Sequence, residues 1–136
     1  MKNIFLIATL LAGAMSANGG DFVLIAHPSV SDDGISLGDL KQIYLGTKTS
    51  LNGRHVEPVI AQVGPFHVQF VSGCLGKTES GLRVYFRNLV FSGKGSMPRS
   101  FATSAEVVRY VAKTAGAIGY VDPGADLAGV AVLTLR

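Results

Sequence analysis

The sequence predicts an α/β fold, a small mixed sheet with helices on both faces. Three observations predict it. Ser104 to Val121 (SAEVVRYVAKTAGAIGYV) reads as an amphipathic helix, a glycine turn and a short apolar strand in direct succession. Asp21 to His27 (DFVLIAH) is apolar on both faces, which suits a central strand. Between them, helical periodicity appears after Ser36, Pro65 and Thr78, with a strand-like run at Val56 to Ala61.

Taken in order, the first strand ends in His27-Pro28-Ser29 and a polar loop, SVSDDGI. Ser36 then caps a helix, with Asp39 at the fourth position of a capping box. Leu40, Ile43 and Tyr44 form its inner face, and Gly46 ends it. Asn52-Gly53 is a strong turn signal ahead of the second strand, Val56 to Ala61. Pro65 opens the next helix where a missing N–H costs nothing. Phe66, Phe70, Val71 and Cys74 are its buried stripe, and Gly76 stops it. From Thr78, Leu82, Tyr85, Phe86, Leu89 and Val90 recur at helical spacing, with Arg83 and Arg87 on the solvated face. A loop, Ser92 to Ser100, leads to the next helix, for which Ser104 is the expected N-cap and Glu106 the acidic residue of the first turn. Val107, Val108, Val111, Ala112 and Ala115 are its expected inner face, and Ala117 to Val121 the strand after it. Asp122-Pro123-Gly124 turns the chain into a last strand, Val130 to Leu135.

The chain has 136 residues, 48% hydrophobic and 15% charged, which excludes a disordered segment or a solvated coiled coil. Met1 to Ala17 (MKNIFLIATLLAGAMSA) has one early lysine, an apolar run and small residues, the layout of a signal peptide cleaved after Ala14, Ser16 or Ala17. Residues 18–136 are then a single secreted domain, with no stretch that would insert in a membrane. Loss of Lys2 leaves 11 basic and 9 acidic side chains, a net charge of +2 that is too small and dispersed for nucleic acid. Cys74, the single cysteine, has no internal partner and sits on an apolar stripe, so it is expected to be an inert core thiol.

The chemistry is sparse. His27, His55 and His67 are not spaced as metal ligands, no nucleophile elbow is present, and no cofactor motif is found. The chain is therefore not expected to be an enzyme. The candidate binding positions are loops that run from a strand into a helix, where free N–H groups face the ligand. These are Ser29 after the first strand, and Gln62 and Gly64 after the second, with His67 in the following helical turn. Gly93, Lys94, Gly95 and Ser96 form a further candidate, a backbone nest for an anion with a lysine added.

Four stretches resemble one family: Ile35 to Thr49 (ISLGDLKQIYLGTKT), Asn52 to Val59 (NGRHVEPV), Tyr85 to Pro98 (YFRNLVFSGKGSMP) and Thr114 to Val121 (TAGAIGYV). They resemble the short, single-lobe relatives of the phosphate receptors of ABC transporters. The resemblance implies one lobe of a type-2 periplasmic-binding fold, export to the periplasm, a place in transport and a small oxyanion such as phosphate as ligand. Receptors of this group present Ser, Gly and Thr at the turn that here reads Val63-Gly64-Pro65-Phe66, with no hydroxyl. An apolar turn suits a protein contact better than an anion. The alternative expectation is therefore an accessory protein of the envelope, or a homodimer, that uses the former ligand face for docking.

Overall fold

The structure, a computed structural model, describes residues 22–30, 34–62 and 64–136. The expected signal peptide and the middle of the loop after the first strand lie outside the described residues, as does Val63. Seven strands and four helices follow in the order β1 (Val23–Ala26), α1 (Leu37–Tyr44), β2 (Ser50–Leu51), β3 (Arg54–His55), β4 (Glu57–Ala61), α2 (Pro65–Cys74), α3 (Glu79–Phe91), β5 (Arg99–Phe101), α4 (Ser104–Lys113), β6 (Ala117–Val121) and β7 (Ala131–Val132).

The main sheet has the order β5-β4-β6-β1-β7. β4 runs parallel to both β5 and β6, while β1 is antiparallel to β6 and β7, so the sheet is mixed as expected. The register places Val23 opposite Val121 and Ala26 opposite Ile118. Alternation along β6 sends Gly119 toward α4 and Tyr120 toward the other helices. A Cβ on Gly119 would come within 2.8 Å of Val107 Cγ1 on α4, which is how closely that helix lies on the sheet. On the opposite face, the Tyr44 hydroxyl donates to Val59 O (2.9 Å) and lies 3.2 Å from Ile118 O, joining α1 to β4 and β6. Tyr120 stacks on Phe70 of α2 with ring centroids 3.8 Å apart. The buried apolar residues form one cluster drawn from β1, β4, β6 and all four helices.

Most local signals act where the sequence places them. Ser36 Oγ accepts from Asp39 N–H at 3.1 Å, and Leu40, Ile43 and Tyr44 are buried. Asn52, at φ 54°, and Gly53 close a β2–β3 hairpin, an element that the turn signal announced but whose strands are only two residues long. Gly116 reverses the chain between α4 and β6 at φ 84°. A side chain there would also meet His55 O at 2.5 Å, so strain and collision both select glycine.

Five expectations are corrected. The N-cap of α4 is Thr103, whose extended backbone lets its hydroxyl accept from Glu106 N–H, and Ser104 instead accepts from Asp122 N–H. Ala115 is exposed because α4 has already ended at Lys113. Val90 is 52% exposed, because α3 is packed only along part of its stripe, where Leu82 and Phe86 are buried. The last strand shrinks to two paired residues plus an Ile35–Leu135 bridge, and β5, inside the expected loop, is an additional edge strand.

Candidate functional site

The sequence-derived site residues fall in three places. Ser29 lies at the C-terminal end of β1. Its N–H donates to His27 Nδ1 (3.0 Å), the two side chains meet at 2.9 Å, and its Oγ accepts from Gly116 N–H (3.1 Å). Because β1 is antiparallel to β6, this is the edge of the sheet at which β4 and β6 begin. Ser29 is thus on the opposite edge from Gln62 and Gly64, and its hydrogen bonds tie two loops together.

At the C-terminal end of β4, Gln62 Nε2 donates to Ser100 Oγ at 3.0 Å. Gly64 is the N-cap of α2 at φ 95°, a conformation that lets the chain turn sharply from strand to helix, and no side chain caps the helix. Pro65 contributes no N–H, and Phe66 folds back so that a Cβ on Gly64 would lie 3.1 Å from its ring. His67 does not reach outward. It is 5% exposed, with Nδ1 2.6 Å from the Tyr120 hydroxyl and Nε2 2.7 Å from Glu79 Oε2. Burial pushes the imidazole below its usual pKa and outweighs the nearby Glu79 carboxylate, which acts in the other direction. The neutral ring therefore donates Nε2–H to Glu79 and accepts the Tyr120 proton at Nδ1. Both nitrogens are used in holding α2, α3 and β6 together.

The third place is a cleft of about 590 Å³ between the end of α1, the β2–β3 hairpin, the start of β4 and the loop before β5. Lys94, Gly95 and Ser96 enter it from the loop, and Lys48, Thr49, His55 and Arg99 join them from elsewhere in the chain. The local fold explains the gathering. Both helices that reach the cleft end in the same cap: Gly46 and Thr47 N–H bond Ile43 and Gln42 O, and Gly93 and Lys94 N–H bond Val90 and Leu89 O. Two helix C-termini therefore lie close by, and cations are favoured beside them. The same caps spend the N–H groups of Gly93 and Lys94, so the loop contributes the Lys94 ammonium and the Ser96 hydroxyl rather than those backbone donors. Gly93 itself is not among the lining residues.

Two of the cations have partners. Lys48 Nζ is 3.2 Å from Asp39 Oδ1. Arg99 lies over the Tyr110 ring at 5.4 Å, with Nε 3.7 Å from Glu57 Oε2, and Tyr110 donates to the same carboxylate at 2.8 Å. Lys94 forms no ion pair among the described residues. Lys48, Thr49, His55 and Arg99 were not identified by sequence reasoning. The basic side chains belong to separate elements, and only the tertiary fold makes them neighbours. Among the described residues no group of three or more His, Cys, Asp or Glu could hold a metal ion, and no helix is long and apolar enough to cross a membrane.

No protein-family model and no curated protein matches the chain. Solved structures do. An ABC-type phosphate transport receptor from Vibrio cholerae matches with a TM-score of 0.62 and 12% identity, over 85% of this chain and 46% of the receptor. A protein from Clostridium perfringens, described as a phosphate ABC transporter substrate-binding protein and solved with bound phosphate, matches at 0.61 and 19%, over 85% and 44%. PstS from Borrelia burgdorferi matches at 0.53 and 15%, over 85% and 47%. The chain spans about half the length of these proteins. The fold expected from the sequence resemblance is the fold found: this chain has the α/β architecture of one half of a phosphate-type substrate-binding protein.

Proposed function

We propose that the chain is a periplasmic, non-catalytic binding module that takes a small oxyanion, phosphate being the first to test, in the basic cleft. The observation that carries this reading is the convergence of Lys48, Lys94 and Arg99 with the Thr49 and Ser96 hydroxyls on one cleft. Charged donors of this kind form the stronger hydrogen bonds to phosphate oxygens, and Arg99 is held ready by its stacking on Tyr110. The bound phosphate in the Clostridium perfringens structure supports the choice of ligand. The uncapped start of α2 supports it less well, since Pro65 and Phe66 offer no polar side chain and Glu79 lies nearby.

Isothermal titration of the protein with phosphate, against sulfate and a chloride control, tests the reading. Saturable phosphate binding is expected, weakened at least tenfold by Lys94→Gln or Arg99→Gln and unchanged by Arg83→Gln outside the cleft. Absence of heat and of thermal stabilisation at millimolar phosphate would overturn it.

A further inference from the structure

A groove runs between α3 and the edge of the sheet at Ser100. Phe91 is 82% exposed, and Val90 and Met97 are about half exposed, an unusual concentration of free apolar surface. Two cavities of about 340 and 380 Å³ share Arg83, Phe86 and Met97, so they form one trough running from Gln62 and Ser100 to Phe91. Its far wall is β5, an edge strand paired with β4. Phe101 O accepts from Gln62 N–H, so Phe101 turns inward and the alternation of a parallel ladder aims the Ser100 N–H and C=O away from β4. The rim is cationic. Arg83 is 65% exposed, with Glu79 at 3.3 Å, but that carboxylate is also bonded by His67. Arg87 is exposed and forms no ion pair among the described residues.

We infer that this groove docks an extended segment of another protein that presents apolar side chains and carboxylates on the same face. The free edge at Ser100 supplies backbone pairing, the trough takes the apolar side chains, and Arg83 and Arg87 meet the carboxylates. An edge strand flanked by exposed apolar groups is a template for such addition, and the Arg99 side chain of β5 is drawn to Tyr110 and Glu57, leaving Ser100 as the open edge position. Met97 lines both the trough and the basic cleft, whereas Arg83, Arg87 and Phe91 do not line the cleft, so variants at these three positions separate docking from anion binding.

The test uses two labelled nine-residue peptides with serine at every second position; at the positions between, the acidic one takes leucine and aspartate in turn and the basic one leucine and lysine in turn. The acidic peptide is expected to bind in fluorescence anisotropy and to shift the amide resonances of Ser100, Met97 and Phe91. Arg87→Glu and Phe91→Ser, both at exposed positions that leave the fold intact, should each weaken it at least tenfold. Equal affinity for the two peptides, absence of binding, or shifts confined to other surfaces would overturn the inference. Concentration-dependent self-association that shifts the same amides would overturn it too, because a second copy would then occupy the groove.

Discussion

The buried hydroxyl of Tyr120 gives the sharpest stability prediction. Replacing it by phenylalanine keeps the ring that stacks on Phe70 and removes only the oxygen 2.6 Å from His67 Nδ1 and 3.2 Å from Ala61 O. One O–H proton serves two acceptors, so the loss amounts to one bare buried acceptor, about 1–3 kcal/mol. At roughly 4 °C per kcal/mol for a domain of this size, Tm should fall by about 4–12 °C. The assay is urea unfolding at pH 7.5, with an unchanged m-value to show that the unfolded state is the same. Tyr120→Phe combined with His67→Phe should be less destabilising than the sum of the two single changes, by about 1 kcal/mol, since the double variant has no orphaned nitrogen. A Tyr120→Phe loss below about 0.5 kcal/mol, or strict additivity in the cycle, would refute the view that hydroxyl and imidazole are buried partners.

Three further outcomes follow from other sites. His67 has a lowered pKa when folded, so the unfolded chain takes up the proton first. This contribution to stability is complete above about pH 6.5 and is lost as pH falls below it, and the loss should disappear from urea midpoints in His67→Gln. Thr103→Ala should cost about 1 kcal/mol through the lost cap on α4, measured by chemical denaturation. Burial raises the Cys74 thiol from its ordinary 9.0 to about 11, so its alkylation by iodoacetamide at pH 8 should be roughly a hundredfold slower in the folded protein than in urea.

The fold was largely legible because its signals are local. Ser36, Pro65 and Thr78 start helices within one residue of their expected positions, and the run Ala117 to Val121 is a strand over its whole length. The errors also have local causes. Thr103 and Ser104 are both capping residues, and sequence alone does not say which one holds the extended backbone. β5 has only three residues, begins with arginine after a proline and faces solvent on its open side, so it lacks an alternating pattern. The candidate site was less legible. Lys94 and Ser96 were read from a glycine-rich loop, but Lys48, His55 and Arg99 come from three other segments, and no spacing along the chain announces their meeting. His67 was legible as a residue of a helical first turn and not as a buried strut, because its partners Tyr120 and Glu79 are 53 and 12 positions away.

The position of β1 has a consequence for the order of folding. This first strand lies between β6 and β7, the last two, so residues 23–26 have no strand partner until residues 117–132 have been made. A chain emerging from the ribosome would carry an apolar strand well before the residues that close the sheet around it exist. Pairing the two ends of the sequence is an entropically slow step, and it raises the mean contact separation that governs folding rate. The N-terminal strand thus makes completion of the core wait on the C-terminus. Removal of residues from Ala131 onward would take away the edge strand β7 and leave Ile25 and Ala26 of β1 without strand partners on that side.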